Sequence, residues 1–240
     1  MIVKSQIKLI RSLHQKKYRN ENGLFFVEGL KAVQELLDSR FEVVKVYATE
    51  DGGLSASAGE VELISEAELK KISALRTPNK VLGLFKIPKV EKIDFDDWVV
   101  TVDDVRDPGN LGTIIRLCDW FGIRHLVCSG QTVDCYNPKT LQATMGSIAR
   151  VNVGYTDLAL FLQKADRPIY GAFMDGVPVY GEKLAEPGIL VMGNEANGIS
   201  SPIEHLVTHK ISIPQFGEPT AESLNVATAT AILLSEIRRG

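Results

Sequence analysis

From Trp98 to the C-terminus, apolar runs of strand length alternate with segments of helical spacing, and no other feature limits the fold as much. W-V-V-T-V-D-D-V, H-L-V-C-S, V-N-V-G-Y, I-Y-G-A-F, G-I-L-V-M and K-I-S-I-P read as strands. L-G-T-I-I-R-L-C-D-W-F, N-P-K-T-L-Q-A-T-M, D-L-A-L-F-L-Q-K-A, S-P-I-E-H-L-V and Ser223 to Arg239 read as helices. Strands that are apolar along their whole length are buried on both faces, and alternation with helices joins them in parallel. The expectation over residues 98–240 is therefore an α/β domain: a mostly parallel sheet with helices on both faces.

The first ninety residues read as a separate small α/β domain. Ile7, Ile10 and Leu13 recur at helical spacing, and H-Q-K-K-Y-R-N-E-N-G follows as a polar turn. A strand F-F-V-E-G, a helix L-K-A-V-Q-E-L-L-D-S, a strand Val43 to Ala48, a small-residue loop Asp51 to Gly59, a helix Ser65 to Ser73 and a strand Val81 to Ile87 complete it. P-K-V-E-K-I-D-F-D-D then reads as a charged linker, placed at 91–97. Residues 1–31 carry seven basic against two acidic side chains, +5 in a chain of net charge −3, so the remainder holds −8. A basic arm on an acidic body suits phosphate-backbone binding, and equally a solvated amphipathic helix. Phe25 and Phe26 read as core, and Tyr18 as core or base-stacking.

Several classes are disfavoured. No apolar run has the length of a membrane span, and M-I-V-K-S-Q-I-K lacks the apolar core of a signal peptide, so a cytoplasmic location without a membrane partner is expected. Three cysteines, an odd number, argue against a disulfide framework. His205 and His209 stand one helical turn apart without an H-E-x-x-H pattern, so no metal is expected. There is no G-x-x-x-x-G-K-[ST], and G-N-L-G lacks the third glycine of the dinucleotide fingerprint.

Three turns, each after an apolar strand, carry glycine beside polar residues: Asp107 to Arg116, Val191 to Ser200 and Ile213 to Ala227. Ligands of open α/β sheets bind outside the carboxyl ends of the strands, so the three turns point to one pocket. In the first, Asn110 sits in a tight strand-to-helix turn, and Arg116 offers a planar fork for phosphate or carboxylate or is a plain surface arginine. In the second, Glu195 stands between Gly193 and Gly198, positioned to accept from a ligand or to complement a helix dipole. In the third, Ser223 reads as the cap of the last helix, and Asn225 carries both a donor and an acceptor.

N-x-G-x-x-x-R, G-N-E-A-N-G and S-L-N-V-A, in that order, resemble the SpoU (TrmH-type) RNA 2′-O-ribose methyltransferases of the SPOUT superfamily. T-M-G-S-I-A-R-V-N-V is similar to an intermediate segment of that family, and K-Y-R-N-E-N-G-L-F-F-V-E-G-L-K-A-V-Q-E-L-L to its small RNA-binding domain. The resemblance implies methyl transfer from S-adenosylmethionine to an RNA ribose, ribosomal RNA before transfer RNA, by a homodimer with the site near its interface. It also implies a C-terminal trefoil knot, which the general rule against knots would not suggest. Met192, Gly193, Ile213, Leu224 and Asn225 would hold the cofactor. Asn110, Arg116, Glu195, Ser223 and Asn225 would form the reaction centre, with Arg116 clamping an RNA phosphate and residues 1–90 selecting the RNA. G-E-P-T-A-E-S is longer between its glycine and serine than in many relatives. A non-catalytic RNA-binding protein and a small-molecule nucleotide enzyme are the alternatives.

Overall fold

The computed structural model describes residues 2–50, 53–54, 61–181, 184, 187–217 and 223–239. Most of the loop expected at 51–59, and the longer spacing between Gly217 and Ser223, lie outside them. The chain divides into two units: Met1–Lys89 with Asp134–Arg150, and Val90–Val133 with Val151–Gly240. No helix among the described residues is long and apolar enough to cross a membrane.

The first unit runs α1 (Lys4–Ser12), α2 (Lys16–Asn22), β1 (Leu24–Glu28), α3 (Leu30–Leu37), β2 (Val43–Ala48), β3 (Val61–Leu63), α4 (Glu66–Ile72) and β4 (Val81–Lys86). Its sheet has the order β1-β4-β2-β3, with β4 antiparallel to both neighbours and β3 parallel to β2. Ile10 and Leu13 of the amphipathic first segment close the core over Phe26, Tyr47, Ile72 and Leu82. Phe25 and Phe26 are both buried. Ser65 and Glu68 cap α4 reciprocally, each side chain accepting from the other's backbone N–H, at 3.2 and 2.9 Å.

The polar turn expected over residues 14–23 is instead the helix α2. K-K-Y-R-N-E-N contains no breaker before Gly23, which ends the helix at φ 63°, a conformation cheap only for glycine. Arg19 is 2% exposed, so it leaves the basic arm and enters the core. It donates to the Leu13 carbonyl at 2.8 Å and to Asp134 Oδ2 at 2.9 and 2.5 Å.

The second unit begins with β5 (Val99–Val102), α5 (Pro108–Trp120) and β6 (His125–Ser129). After α6 (Pro138–Thr144), which belongs to the first unit, it continues with β7 (Asn152–Thr156), α7 (Leu158–Gln163), β8 (Ile169–Pro178), β9 (Ile189–Met192), α8 (Ser201–Glu204), β10 (His209–Ser212) and α9 (Val226–Ile237). The strand order is β10-β8-β9-β5-β6-β7, and every pairing is parallel. Val99, Ile189 and Val191 pack with Leu158, Leu162 and Ile203 of α7 and α8. Val100, Val102, Leu126 and Leu190, at the alternate positions, are also fully buried. α5 packs against α9.

Three expected boundaries are corrected. Residues 91–97 are no free linker. Glu91 exchanges backbone bonds with the Asn152 amide at 3.1 and 3.0 Å, and Asp94 meets the buried His125 at 3.2 Å. The last helix starts at Val226 rather than Ser223, because the Asn225 side chain is the cap, accepting from Ala227 and Thr228 at 3.0 and 3.2 Å. Asp134–Arg150, which falls within the 98–240 domain by position, packs with the first unit. Asp134 binds Arg19, the Tyr136 ring lies 4.6 Å from that of Phe25, and Arg150 pairs with Glu35.

Removing one partner of a buried ion pair strands the other charge, at a cost of about 3–5 kcal/mol. Arg19→Met should therefore lower unfolding free energy by that amount in urea titrations. A loss below about 1 kcal/mol would class the pair with solvent-screened surface bridges.

Candidate active site

The three turns follow β5, β9 and β10, whose carboxyl ends lie along one edge of a parallel sheet. β5 and β9 are adjacent although β9 comes much later in the chain, and from β5 the strands β6 and β7 continue in the opposite direction across the sheet. Such a reversal in strand order opens a crevice. The Asp103 N–H donates to the Met192 carbonyl at 2.9 Å, carrying the ladder past the strands and into the turns.

One chain of side-chain hydrogen bonds joins all three turns. The Asn110 Nδ2 amide donates to Glu195 Oε1 at 2.9 Å, and the Asn225 Nδ2 amide donates to Asn110 Oδ1 at 2.9 Å. Each asparagine has a second anchor, Asn110 through its backbone N–H and Asn225 through its side-chain oxygen. Asp107 Oδ1 caps α5 by accepting from the Asn110 N–H at 2.8 Å, and Asn225 Oδ1 caps α9. Glu195 also receives long contacts of 3.4 Å from the backbone N–H groups of Arg106 and Asp107. Glu195 lies in the turn itself, not in the first turn of a helix, and its carboxylate meets the N-terminal end of α5 instead.

Residues to which the motifs alone assign no role hold this chain in place. Asn194 Oδ1 accepts from the N–H groups of Ala196 and Asn197 at 2.9 and 3.0 Å, and its amide donates to the Asp104 carbonyl at 2.6 Å. The Asp103 carboxylate accepts from the Ser200 N–H at 2.8 Å. Asp104 has φ 57°, an uncommon conformation for a residue with a side chain, and is gripped from both sides by Ser129 and Asn194. Its carboxylate forks the Arg106 guanidinium at 2.9 and 2.8 Å, which together with nearby Glu195 raises the arginine's pKa further. The sequence signal for Asn194 is its place one glycine after an apolar strand, two residues before a turn N–H, where asparagine closes an Asx turn.

Met192, Gly193, Ile213 and Leu224 line one pocket of about 250 Å³, and Ser223 lines it too. Asn225 is not among the lining residues; it belongs to the hydrogen-bond chain. A second wall comes from β8. While β10 advances one residue, Lys210 to Ile211, its partners jump from Gly171 to Val177. The excursion so formed contributes Ala172, Phe173 and Met174 to the pocket. Small and aliphatic residues of α9, Val226, Ala229 and Leu233, also line it. Apolar walls with strand-end backbone groups suit a nucleoside-like ligand better than a bare ion, and no group of three or more His, Cys, Asp or Glu among the described residues could hold a metal.

Arg116 stands apart. It is exposed, makes no hydrogen bond or ion pair among the described residues, and lies about 120° round α5 from Asn110. Within one chain, the structure does not bring it to the Glu195–Asn110–Asn225 chain.

A Cβ added at Gly193 would meet the Gly198 carbonyl carbon at 2.2 Å, whereas one at Gly217 would meet nothing within 4 Å among the described residues. Backbone cannot yield as a side-chain tip does. Gly193→Ala should cost about 3 kcal/mol or more of stability, and Gly217→Ala should stay within about 0.5 kcal/mol. Calorimetric midpoints of the two variants check the contrast, which fails if they match.

Comparison with known proteins shows which family has this sequence and fold. A family model described as "SpoU rRNA Methylase family" matches residues 97–235, and one described as "MRM3-like substrate binding domain" matches residues 4–83. The 23S rRNA (guanosine(2553)-2′-O)-methyltransferase of Bacillus subtilis is 30% identical, over 97% of this chain and 96% of its own length. A TrmH-family structure from Porphyromonas gingivalis is 38% identical and superimposes with a TM-score of 0.91 over 100% of this chain and 99% of its own. The AdoMet-bound rRNA methyltransferase of Sinorhizobium meliloti is 31% identical, with a TM-score of 0.87 over 100% and 96%. The chain belongs to the SpoU rRNA methylase family.

Proposed function

We propose that this chain transfers a methyl group from S-adenosylmethionine to a ribose 2′-hydroxyl of RNA, with ribosomal RNA as the substrate class. The observation that carries this reading is the Glu195–Asn110–Asn225 chain, three motif residues of the family joined beside an apolar pocket. A relative named for 23S rRNA aligns along nearly the whole chain, which supports ribosomal over transfer RNA.

Met192, Gly193, Ile213 and Leu224 are the residues that would hold the cofactor. Bound there, S-adenosylmethionine supplies a methyl group on a positively charged sulfur. The protein's task is alignment, worth about 7–11 kcal/mol in the best cases. Asn110 cannot rotate its amide, since its oxygen and nitrogen are both engaged, so it fixes the orientation of Glu195. Among the described residues Glu195 Oε2 receives only a 3.4 Å contact, which leaves it free to accept the ribose hydroxyl and then its proton. Arg116 is assigned to an RNA phosphate. Its guanidinium stays protonated at neutral pH, so it orients rather than abstracts. Ser223 and Leu224 line the cofactor side of the acceptor position.

The same reading includes a cytoplasmic homodimer, a trefoil knot in the C-terminal segment, and RNA selection by the first unit. The exposure of Arg116, away from its own Asn110, supports action at a protomer interface. Family membership and the packing of α9 on α5, after β10 has passed to the sheet edge, support the knot. The family model matched at residues 4–83 supports the RNA role.

The test is methyl transfer from tritiated S-adenosylmethionine to ribosomal RNA and, separately, transfer RNA, followed by nucleoside analysis for 2′-O-methylation. Arg116→Lys keeps the charge and loses the fork. Losing one charge-assisted bond of about 1.5–3 kcal/mol should lower kcat/KM for RNA roughly 10- to 100-fold and leave cofactor affinity unchanged. Near-full turnover in that variant would remove the phosphate clamp. Label on transfer RNA alone would move the substrate class, and no label on either RNA would favour the non-catalytic reading.

A further inference from the structure

The first unit holds a second pocket, of about 220 Å³, that the methyl-transfer site does not use. Its back is β1, an edge strand of the four-stranded sheet. The Gly29 N–H donates to Val81 and the Ile87 N–H to Gly23, at 2.9 and 2.8 Å, so the odd-numbered residues of β1 form the ladder with β4. By the alternation of an antiparallel pair, the N–H and C=O groups of Phe26 and Glu28 then point to the free edge. No loop or side-chain bond among the described residues takes them up there. Backbone polar groups left at an edge need water or a ligand.

The remaining walls have a consistent chemistry. Leu75 and Leu141 supply apolar sides. The Glu28 carboxylate is aimed by the Ser73 hydroxyl at 2.5 Å and the Ala74 N–H at 2.7 Å, and keeps acceptor capacity. Arg76 and Lys139 line the pocket, are exposed, and form no ion pair among the described residues. Lys139 and Leu141 come from α6, the segment that joins this unit from the middle of the chain.

We propose that this pocket, between β1, the 74–76 loop and α6, receives an unpaired nucleotide of the RNA substrate: the base against the leucines and the free strand edge, its flanking phosphates on Arg76 and Lys139. The volume suits one base rather than an extended peptide strand, and two exposed cations without an ion pair among the described residues suit a polyanion. Sequence-specific RNA recognition characteristically takes bases splayed out of single-stranded regions. The inference rests on the reading that the substrate is RNA, and deepens it by naming where that RNA is gripped.

Arg76→Ala/Lys139→Ala tests it in the full-length protein, with a short fluorescein-labelled single-stranded RNA as probe. Affinity should fall about tenfold, and the slope of log Kd against log salt should shrink by about 1.4, two phosphate contacts on a single strand. The unfolding midpoint and cofactor affinity should not move, since both side chains are exposed and neither forms an ion pair among the described residues. A second measurement avoids dependence on one variant: 4-thiouridine RNA should photocrosslink to peptides containing residues 24–28, 73–76 or 138–142. Unchanged affinity and salt slope in the double variant, or crosslinks confined to other peptides, would overturn the proposal, including the case in which a protein segment fills the pocket instead. The readout is binding, so a parent chain that binds RNA through these residues without methylating it leaves the pocket standing and refutes the proposed reaction. A parent that methylates RNA while the variant binds normally does the reverse.

Discussion

The Asn110 amide is the joint on which the site depends. Three turns leave three different strands, and nothing in a parallel ladder obliges them to meet once the strands have ended. An amide in which the oxygen accepts from Asn225 and the nitrogen donates to Glu195 closes them into one surface. The geometry has one sense only, because reversing the amide would set donor against donor and oxygen against carboxylate. The backbone half of the same residue is spoken for by the Asp107 cap. A site residue immobilised at both ends costs no reorganisation when substrate arrives, which is how alignment becomes rate.

The strain around this joint follows the same logic. Asp104 adopts a left-handed backbone that glycine would take more cheaply, yet its carboxylate is needed to fork Arg106. Ser129 and Asn194 hold its N–H and C=O, and Asn194 in turn shapes the turn that carries Glu195. Local strain of this kind persists when the surroundings over-determine it. Gly193 is the complementary case, where the crossing of two backbones leaves no space for any side chain.

What was legible in the sequence follows from periodicity and from the rule for strand ends. The apolar runs became parallel strands, and the turns after three of them became one site containing Asn110, Glu195 and Asn225. What was not legible depends on partners remote in sequence. Ser223 and Asn225 are both good caps, and only the approach of Asn110 shows which one begins the helix. K-K-Y-R-N-E-N looks like a polar loop because its most hydrophilic residue, Arg19, finds its carboxylate 115 positions away. Arg116 shares the first motif with Asn110, but a spacing of six residues sets it on another side of α5.

The path of the chain also bears on how substrate selection is separated from chemistry. Residues 134–150 leave the sheet unit after Val133, contribute α6 to the first unit, and return at Val151. The first unit is therefore built from two stretches of sequence, and a cut near residue 90 does not release it. Such a cut would strip Arg19 from Asp134 and Phe25 from Tyr136, leaving a carboxylate unpaired and an aromatic face exposed on whatever remains. Loss of activity on deleting residues 1–90 would then report damage to the 134–150 segment as much as loss of RNA binding. Point changes at exposed cations keep both stretches folded, and so separate binding from structure where a deletion does not.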